Sequence, residues 1–372
     1  MKRLGFVWEN FGPMHADRCD AVAGEVSSHA EVIGLELFST SKEYAWESET
    51  RKSFQKITLF ENKSFATVPA LKLARTIVRT CRKQGISDVF LCNYNEPGVF
   101  LAGLMLRALG RRVYVMGCSK FDDLDRRLWR EIAKTAFFLP YQAAIASGKR
   151  SRDYMRLMGI REDRIFTEYN TLSIERIRHM AGNVPAPHGV AFPDRHFTIV
   201  ARFVTKKNLF VALDAYRLYC EQSDRPRPLH LCGSGPLEAE LREKAASIAG
   251  GRVVFTGFLQ SGEIAGQLAS TVTLLLPSVE EQFGNVVIEA QAMGLPVIVS
   301  DVCGARDNLV RSGKNGFVVE PDNPEGMAFL MKLLSEDEAL WSRFSIEAGR
   351  SAELGDVRQF AKASAAIIAA AV

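Results

Sequence analysis

No stretch of the chain approaches eighteen consecutive apolar residues, so no membrane-spanning helix is expected. Cys-x-x-Cys pairs are absent. The seven cysteines, Cys19, Cys81, Cys92, Cys118, Cys220, Cys232 and Cys303, are odd in number and scattered, several inside apolar runs such as VFLCN and LHLCG. Neither a disulfide framework nor a zinc site is expected, but rather buried free thiols in a reducing cytoplasm. A complete dinucleotide fingerprint is missing too, as is any short internal repeat. The opening MKRLGFVWENFGPMH has two basic residues, but its apolar run meets Glu9 at once. It reads as a first strand rather than a signal peptide.

A surplus of one charge is nearly absent overall, with a net charge of +4. The halves differ, however. Residues 1–185 carry 29 Lys and Arg against 21 Asp and Glu, and residues 186–372 carry 18 against 22. The basic half suits an anionic partner (nucleic acid, anionic lipid or a phosphorylated acceptor) or simply a solvated surface.

What is present is a regular alternation over 372 residues, a length that suggests two domains. In the first half RLGFVWEN, EVIGLELF, VFLCNY, RVYVMGC, AAIASG and RIFTEYN read as strands. Helical stretches at 15–28, 68–84, 96–110, 123–136 and 149–158 separate them. Near-continuous apolar strands joined by helices indicate a parallel sheet covered on both faces. GNVPAPHGVAFPDRH, with three prolines and two glycines, then reads as a linker. After it HFTIVAR, PLHLCGSG, RVVFTGF, VTLLLPS, PVIVSDV and GFVVEP restart the pattern, and two helices close the chain. The expected fold class is α/β, two doubly wound Rossmann-like domains facing a cleft. The boundaries fall at 1–180, a linker at 181–195, a second domain at 196–350, and a C-terminal helix at 351–372 that could cross back to the first domain. Ligands of such sheets bind at the carboxyl ends of the strands.

The chemistry-bearing residues cluster at those ends in the second half. IVARFVTKKNL ends a strand at Arg202, and Lys206 and Lys207 follow before a helix. Cations beside a helix N-terminus suit an anion, although a solvated basic loop has the same composition. LHLCGSGPLEAEL turns tightly at Gly233 and Gly235, but Glu238 stands where a full fingerprint needs Gly or Ala. VEEQFG is a loop carrying Glu281, and NVVIEAQAMG is a helix carrying Glu289. Were all eight steps helical, the two carboxylates would lie about 12 Å apart along the axis and turned by roughly 80°. They cannot share a proton or one metal ion, but they can grip two parts of an extended ligand. Gly284 allows close backbone approach, and Gly284 and Asn285 open the helix with N–H groups. Glu281 alone could be a dipole-complementing acid. PVIVSDVCGARDNL adds another glycine-bearing turn after a strand.

Taken in order, these segments resemble the C-terminal domain of retaining glycosyltransferases of the GT-B fold, glycosyltransferase family four (glycosyl transferases group 1). ARFVTKKNL resembles the family's Gly-Arg-Leu-x-x-x-Lys-Gly element, CGSGPLEAEL its Gly-x-Gly-Pro turn, and FTGFL its Phe-x-Gly segment. EEQFGNVVIEAQAMGLPVIVSD is similar to its pair of glutamates with seven residues between them, and GKNGFVVEPDNPE to its end segment. The resemblance spans roughly residues 196–335. It implies that Arg202 and Lys207 hold the diphosphate of a nucleotide sugar and stabilise it as it leaves. It further implies that Glu281, with backbone N–H groups around Phe283, Gly284 and Asn285, contacts the donor sugar, that Glu289 takes the ribose hydroxyls, and that Gly233 lies on the donor side. No metal and no cofactor are implied, because fixed cations and a helix dipole carry the phosphate charge.

The first half resembles the family less. ENFGPMHADR, with Gly12 and His15, fills the place of a glycine-rich first loop, and His15 could touch donor or acceptor. After strand 112–118, where many relatives place a histidine, the chain reads MGCSKFDD, which leaves the donor sugar open. The implied protein is a metal-independent hexosyltransferase, using UDP-sugar ahead of GDP-sugar. It would act on a glycan, lipid-linked or small-molecule acceptor in bacterial cell-surface polysaccharide assembly. It would be cytoplasmic or peripheral on the inner membrane face, without a nucleic-acid partner. Alternatives are a sugar-nucleotide 2-epimerase of the same fold and a non-catalytic nucleotide-sugar-binding protein. Asp123-Leu124-Asp125 is formally a metal-binding Asp-x-Asp, but it opens a helical stretch, where helix capping explains it. TVPALKLARTIVRTCRKQG is basic and amphipathic. It reads first as a surface helix packed on the sheet, and second as a contact for anionic lipid.

Overall fold

The computed structural model describes residues 1–40, 53–123 and 126–370. The chain forms two compact units, Met1–Leu172 with Val357–Val372, and Ser173–Asp356.

In the first unit β1 (Lys2–Trp8), β2 (Ala30–Phe38), β3 (Gln55–Phe60), β4 (Asp88–Leu91), β5 (Arg112–Gly117), β6 (Ala144–Ala146) and β7 (Ile165–Phe166) are parallel, in the order β3-β2-β1-β4-β5-β6-β7. Successive side chains of a strand point to opposite faces, and both faces here are covered, so the strands are apolar almost throughout. Val7, Leu35, Leu91 and Val115 face one core with the helix Ala70–Lys83, while Phe6, Trp8, Phe90 and Tyr114 face another with Phe360 and Ile367. The helix Ala70–Lys83 buries Leu73, Ala74, Ile77, Val78 and Cys81, leaving Lys72, Arg75, Arg79, Arg82 and Lys83 exposed. Its apolar stripe belongs to the core and cannot also enter a lipid surface.

The second unit repeats the plan. β8 (His196–Val200), β9 (Leu229–Cys232), β10 (Val253–Gly257), β11 (Thr271–Leu276), β12 (Val297–Ser300) and β13 (Gly316–Val319) are parallel, in the order β10-β9-β8-β11-β12-β13. In each sheet the strand order reverses beside the first strand, between β1 and β4 and between β8 and β11. A ligand crevice is expected outside the carboxyl ends at such a point.

Four points differ from the sequence reading. β3 goes unread there because QKITLF is a partly exposed edge strand with little apolar alternation. The division falls after Leu172, not at 180, because the helix Ile174–Ala181 packs on the helices Ser261–Ala269 and Val286–Ala292 of the second unit. Residues 181–195 are not a free tether. Buried Arg195 donates to the carbonyls of Val190 (3.0 Å), His188 (3.0 Å) and Thr271 (2.9 Å), fastening the proline-rich stretch to the second unit. The chain then re-enters the first unit at Val357, whose N–H donates to Leu172 O at 3.0 Å, and the helix Val357–Ala369 packs on Pro13–Val26. Residues 351–356 stay with the second unit.

Among the described residues no helix is long and apolar enough to cross a membrane. All seven cysteines are free, five buried and Cys92 and Cys118 half-buried.

Candidate functional site

The carboxyl end of β8 carries the first cluster. Arg202 is exposed and Lys207 half-buried, in a loop closed by the single turn Thr205–Lys207. Two glycines fix that loop against the end of β9. Gly233 has φ +147°, and a Cβ there would stand 1.9 Å from Ala201 O; one on Gly235 would stand 2.5 Å from Phe203 O. Hydrogen bonds from Phe203 N to Ser234 O (2.9 Å) and Leu237 N to Phe203 O (3.2 Å) join the two loops. The turn that looks weak as a sequence signal is thus the brace that holds the backbone around Arg202.

Asn208, which the sequence reading passed over, adopts φ +56° and donates to Pro277 O (3.0 Å) and Pro321 O (2.6 Å). It stands where the resembled element has Gly after Lys, a position that needs left-handed backbone. Asn tolerates that region and adds two hydrogen bonds that glycine cannot.

The second cluster is the loop after β11. Lys207 and Glu281, both partly buried, form an ion pair, and Ser278 Oγ donates to Glu281 at 3.3 Å. Beside it Lys206 Nζ lies 3.3 Å from Glu280, and Val279 N donates to Lys206 O at 3.0 Å. Two residues that the sequence names separately are therefore in contact. The loop beyond β12 supports them from below. Ala305 N (2.8 Å) and Cys303 Sγ (3.0 Å) donate to Phe283 O, and Gly304 packs so closely that a Cβ would stand 2.1 Å from Gln282 O. Phe283 is buried; Gly284 has φ +98° with Leu276 and Cys303 against it. Burial, with Glu281 nearby, pushes the Cys303 thiol up to about 12, so it acts as packing rather than as a nucleophile.

Gly284 and Asn285 lead into the helix Val286–Ala292, and against the sequence expectation of open N–H groups Val287 N and Ile288 N already donate to Gly284 O (3.0 Å) and Asn285 O (2.9 Å). Glu289 sits in its first turn, partly exposed among buried Val287, Ile288 and Ala290. Burial raises its carboxyl to about 7, opposed by Arg176 on the neighbouring helix. A carboxylate held half-neutral there gains from any ligand that donates hydrogen bonds to its ionised form.

The first unit presents a different picture. His15 is buried, stacked on Trp8 with centroids 4.6 Å apart, and its Nδ1 accepts from Gly12 N at 3.2 Å. Burial and the nearby Arg18 hold its pKa well below the usual range, so it is neutral and ties down the start of the helix Pro13–Val26. The same loop is fixed from β2 by buried Glu36, which accepts from Phe11 N at 2.9 Å. Asp123 is also buried, accepting from Lys120 N (3.2 Å) and pairing with Arg126; Leu124 and Asp125 lie outside the described residues. Among the described residues no group of three or more His, Cys, Asp or Glu side chains could hold a metal ion.

Two doubly wound parallel units, the second with charged loops at its strand ends, define the GT-B class. Across its whole length the chain matches Anabaena HepE solved in complex with UDP, at a TM-score of 0.73 and 17% identity, covering 100% of both chains. It matches sucrose-phosphate synthase from Thermosynechococcus elongatus at 0.74 and 16% identity, covering 100% of this chain and 99% of that one. These identities speak for the fold. Residues 186–351 match the family described as Glycosyl transferases group 1. Over 142 residues it is 34% identical to the D-inositol 3-phosphate glycosyltransferase of Streptomyces avermitilis, covering 38% of this chain and 30% of that protein. The alignments span about a third of the length of such curated relatives.

Proposed function

We propose that the protein is a retaining glycosyltransferase that moves a hexosyl group from a nucleotide-sugar donor, a UDP-sugar ahead of a GDP-sugar, to a glycan, lipid-linked or small-molecule acceptor. The observation that carries this reading is the contact between Lys207 and Glu281 beside exposed Arg202. It gathers two cations and a carboxylate at the switch point of a doubly wound sheet. Arg202 and Lys207 take the diphosphate and stabilise the charge that develops as it leaves, without a metal. Glu281 turns from Lys207 to the sugar hydroxyls once the diphosphate satisfies the lysine. Phe283, Gly284 and Asn285 supply backbone around the donor, and Glu289 accepts from the ribose hydroxyls. The acceptor attacks from the face the diphosphate leaves, so the anomeric configuration is kept. Acceptor recognition is assigned to the first unit. The setting proposed is cell-surface polysaccharide assembly, peripheral on the inner face of the cytoplasmic membrane. HepE in complex with UDP supports the nucleotide choice as a likeness of fold.

Thermal-shift titration with UDP, GDP and ADP tests the reading, because a ligand bound only by the native state raises the melting temperature. UDP should give the largest shift, and no shift with any nucleotide would overturn the proposal. Conversion of the donor sugar without an acceptor would reveal an epimerase. Loss of transfer with a chelator and its return with manganese would overturn metal independence. Glu289→Ala should chiefly weaken nucleotide affinity and Glu281→Ala chiefly lower turnover. Equal loss of affinity in both variants would refute that division.

A further inference from the structure

The helix Leu128–Lys134 in the first unit is turned inside out. A surface helix of a water-soluble domain ordinarily hides its apolar residues and exposes its charges. Here Leu128, Trp129 and Ile132 are 59%, 62% and 61% exposed, and Leu139 just beyond is 74% exposed. The residue that faces inward is Glu131, 2% exposed, whose carboxylate accepts from Tyr154 Oη (2.7 Å) and Arg126 (3.1 Å) and pairs with Lys134 (2.8 Å). The segment is therefore held to its unit by a buried carboxylate, and its outer face is left apolar. Among the described residues the charges exposed on the helix itself and just before it are cations, Arg130 and Arg127, with Arg130 lying 5.1 Å from the centre of the Trp129 ring; exposed Asp122 nearby is paired with Lys120 and Arg150. Helix Gly148–Leu157, tied to this segment through Tyr154 and through Arg150 to Asp122 (2.8 Å), adds exposed Lys149 and Arg156, while half-buried Arg152 pairs with exposed Asp153.

Aliphatic and indole side chains among arginines, with the carboxylate withdrawn, match a bilayer interface. The rings and aliphatic chains enter the headgroup boundary while the cations meet anionic headgroups. A second copy of the chain meets the same patch less well, since a two-fold interface would bring arginines toward arginines. We propose that this face docks on a membrane surface that contains anionic lipid. The inference deepens the peripheral placement proposed above and rests on that reading only for the choice of a membrane. It moves the contact away from the helix Ala70–Lys83, whose apolar stripe is buried.

Co-sedimentation of the full chain with phosphatidylcholine vesicles, with and without phosphatidylglycerol, tests it. The wild type should pellet with the anionic vesicles and release at high salt, where exposed charges are screened. Trp129→Glu combined with Ile132→Glu should weaken binding at least about tenfold. Arg127→Gln should weaken it about fivefold. Arg75→Gln, on the other helix, should leave it unchanged. All variants should keep the wild-type UDP-induced thermal shift, so failure of the donor reading and failure of the docking surface are told apart. Three results would each overturn the proposal. They are absence of pelleting by the wild type, undiminished pelleting of the Trp129 and Ile132 double variant, and a concentration-dependent dimer lost in that variant without vesicle binding.

Discussion

The two units share a sheet plan and differ at their strand ends. In the second unit the loops after β8, β9, β11 and β12 are braced backbone to backbone, and they hold Arg202, Lys207 and Glu281 at or near the surface. In the first unit the polar residues of the corresponding region turn inward. His15 stacks on Trp8, Arg18 lies buried over Tyr169 at 4.8 Å, and Asp123 pairs with Arg126. One unit presents prearranged charge, which suits the diphosphate of the donor proposed above. The other keeps a quiet, hydrogen-bonded rim, which leaves room for variation in what it meets.

The largest test of this contrast removes the presented charge. Lys207→Ala or Arg202→Ala should lower sugar transfer on the order of 10²–10³-fold, the range for losing one preorganised donor to a developing negative charge. Single-turnover rates with a UDP-sugar would measure it. A change below threefold in both would mean that these cations are not part of the donor site.

A second test breaks the braces. Gly233→Ala places a methyl group on Ala201 O at φ +147° and should destabilise the fold by about 3 kcal/mol or more. Gly24→Ala, inside the helix Pro13–Val26 of the first unit with nothing within 4 Å, should stabilise it by about 0.5–1 kcal/mol. Urea unfolding of both variants would show opposite signs if the tight approach belongs to the second unit's loops.

Glu289 sharpens the contrast through pH. Its carboxyl titrates near 7 in the folded chain, from an ordinary value of 4.5. Between those values the native state binds more proton than the unfolded chain, so stability falls as pH rises from 4.5 to 7 and levels off above. The loss is up to about 3 kcal/mol. Glu289→Gln should melt above the wild type at pH 8 and with it near pH 4.5, as scanning calorimetry would record. The smallest effect is expected at His15. His15→Ala should cost about 1 kcal/mol by freeing the helix start and leave UDP affinity, measured by calorimetry, within about twofold, because the ring is turned away into a stack.

How far the chain could be read from residue types follows the same line. All six strands of the second unit stand out, because buried parallel strands are apolar runs such as VTLLLP bounded by turn residues. β3 does not, because an edge strand needs only one good face. The helix Ile174–Ala181 goes unread because eight residues give barely two periods, although Ser173 caps it by accepting from Arg176 N at 3.2 Å. At the site the charged residues are legible and their supports are not. Nothing in NL after KK announces that Asn208 must sit at φ +56°, or that Gly304 must let Gln282 O approach. Such demands come from backbone brought together from distant parts of the sequence. The helix Leu128–Lys134 shows the opposite case. Its residues look like an ordinary amphipathic stretch, and only the burial of Glu131 shows which face is turned outward.

The hydrogen bond from Val357 N to Leu172 O sets the place where the chain leaves the first unit beside the place where it returns. The whole second unit is thus a single insert with neighbouring ends, itself closed by Ile174 N donating to Asp356 at 3.3 Å. In a gene, such an arrangement is a cassette. Two cuts, at points far apart in sequence and adjacent in space, release one complete α/β unit and leave a first unit whose last helix already packs on its first. Recombination can therefore pair one such unit with many partners without threading the chain through a new core.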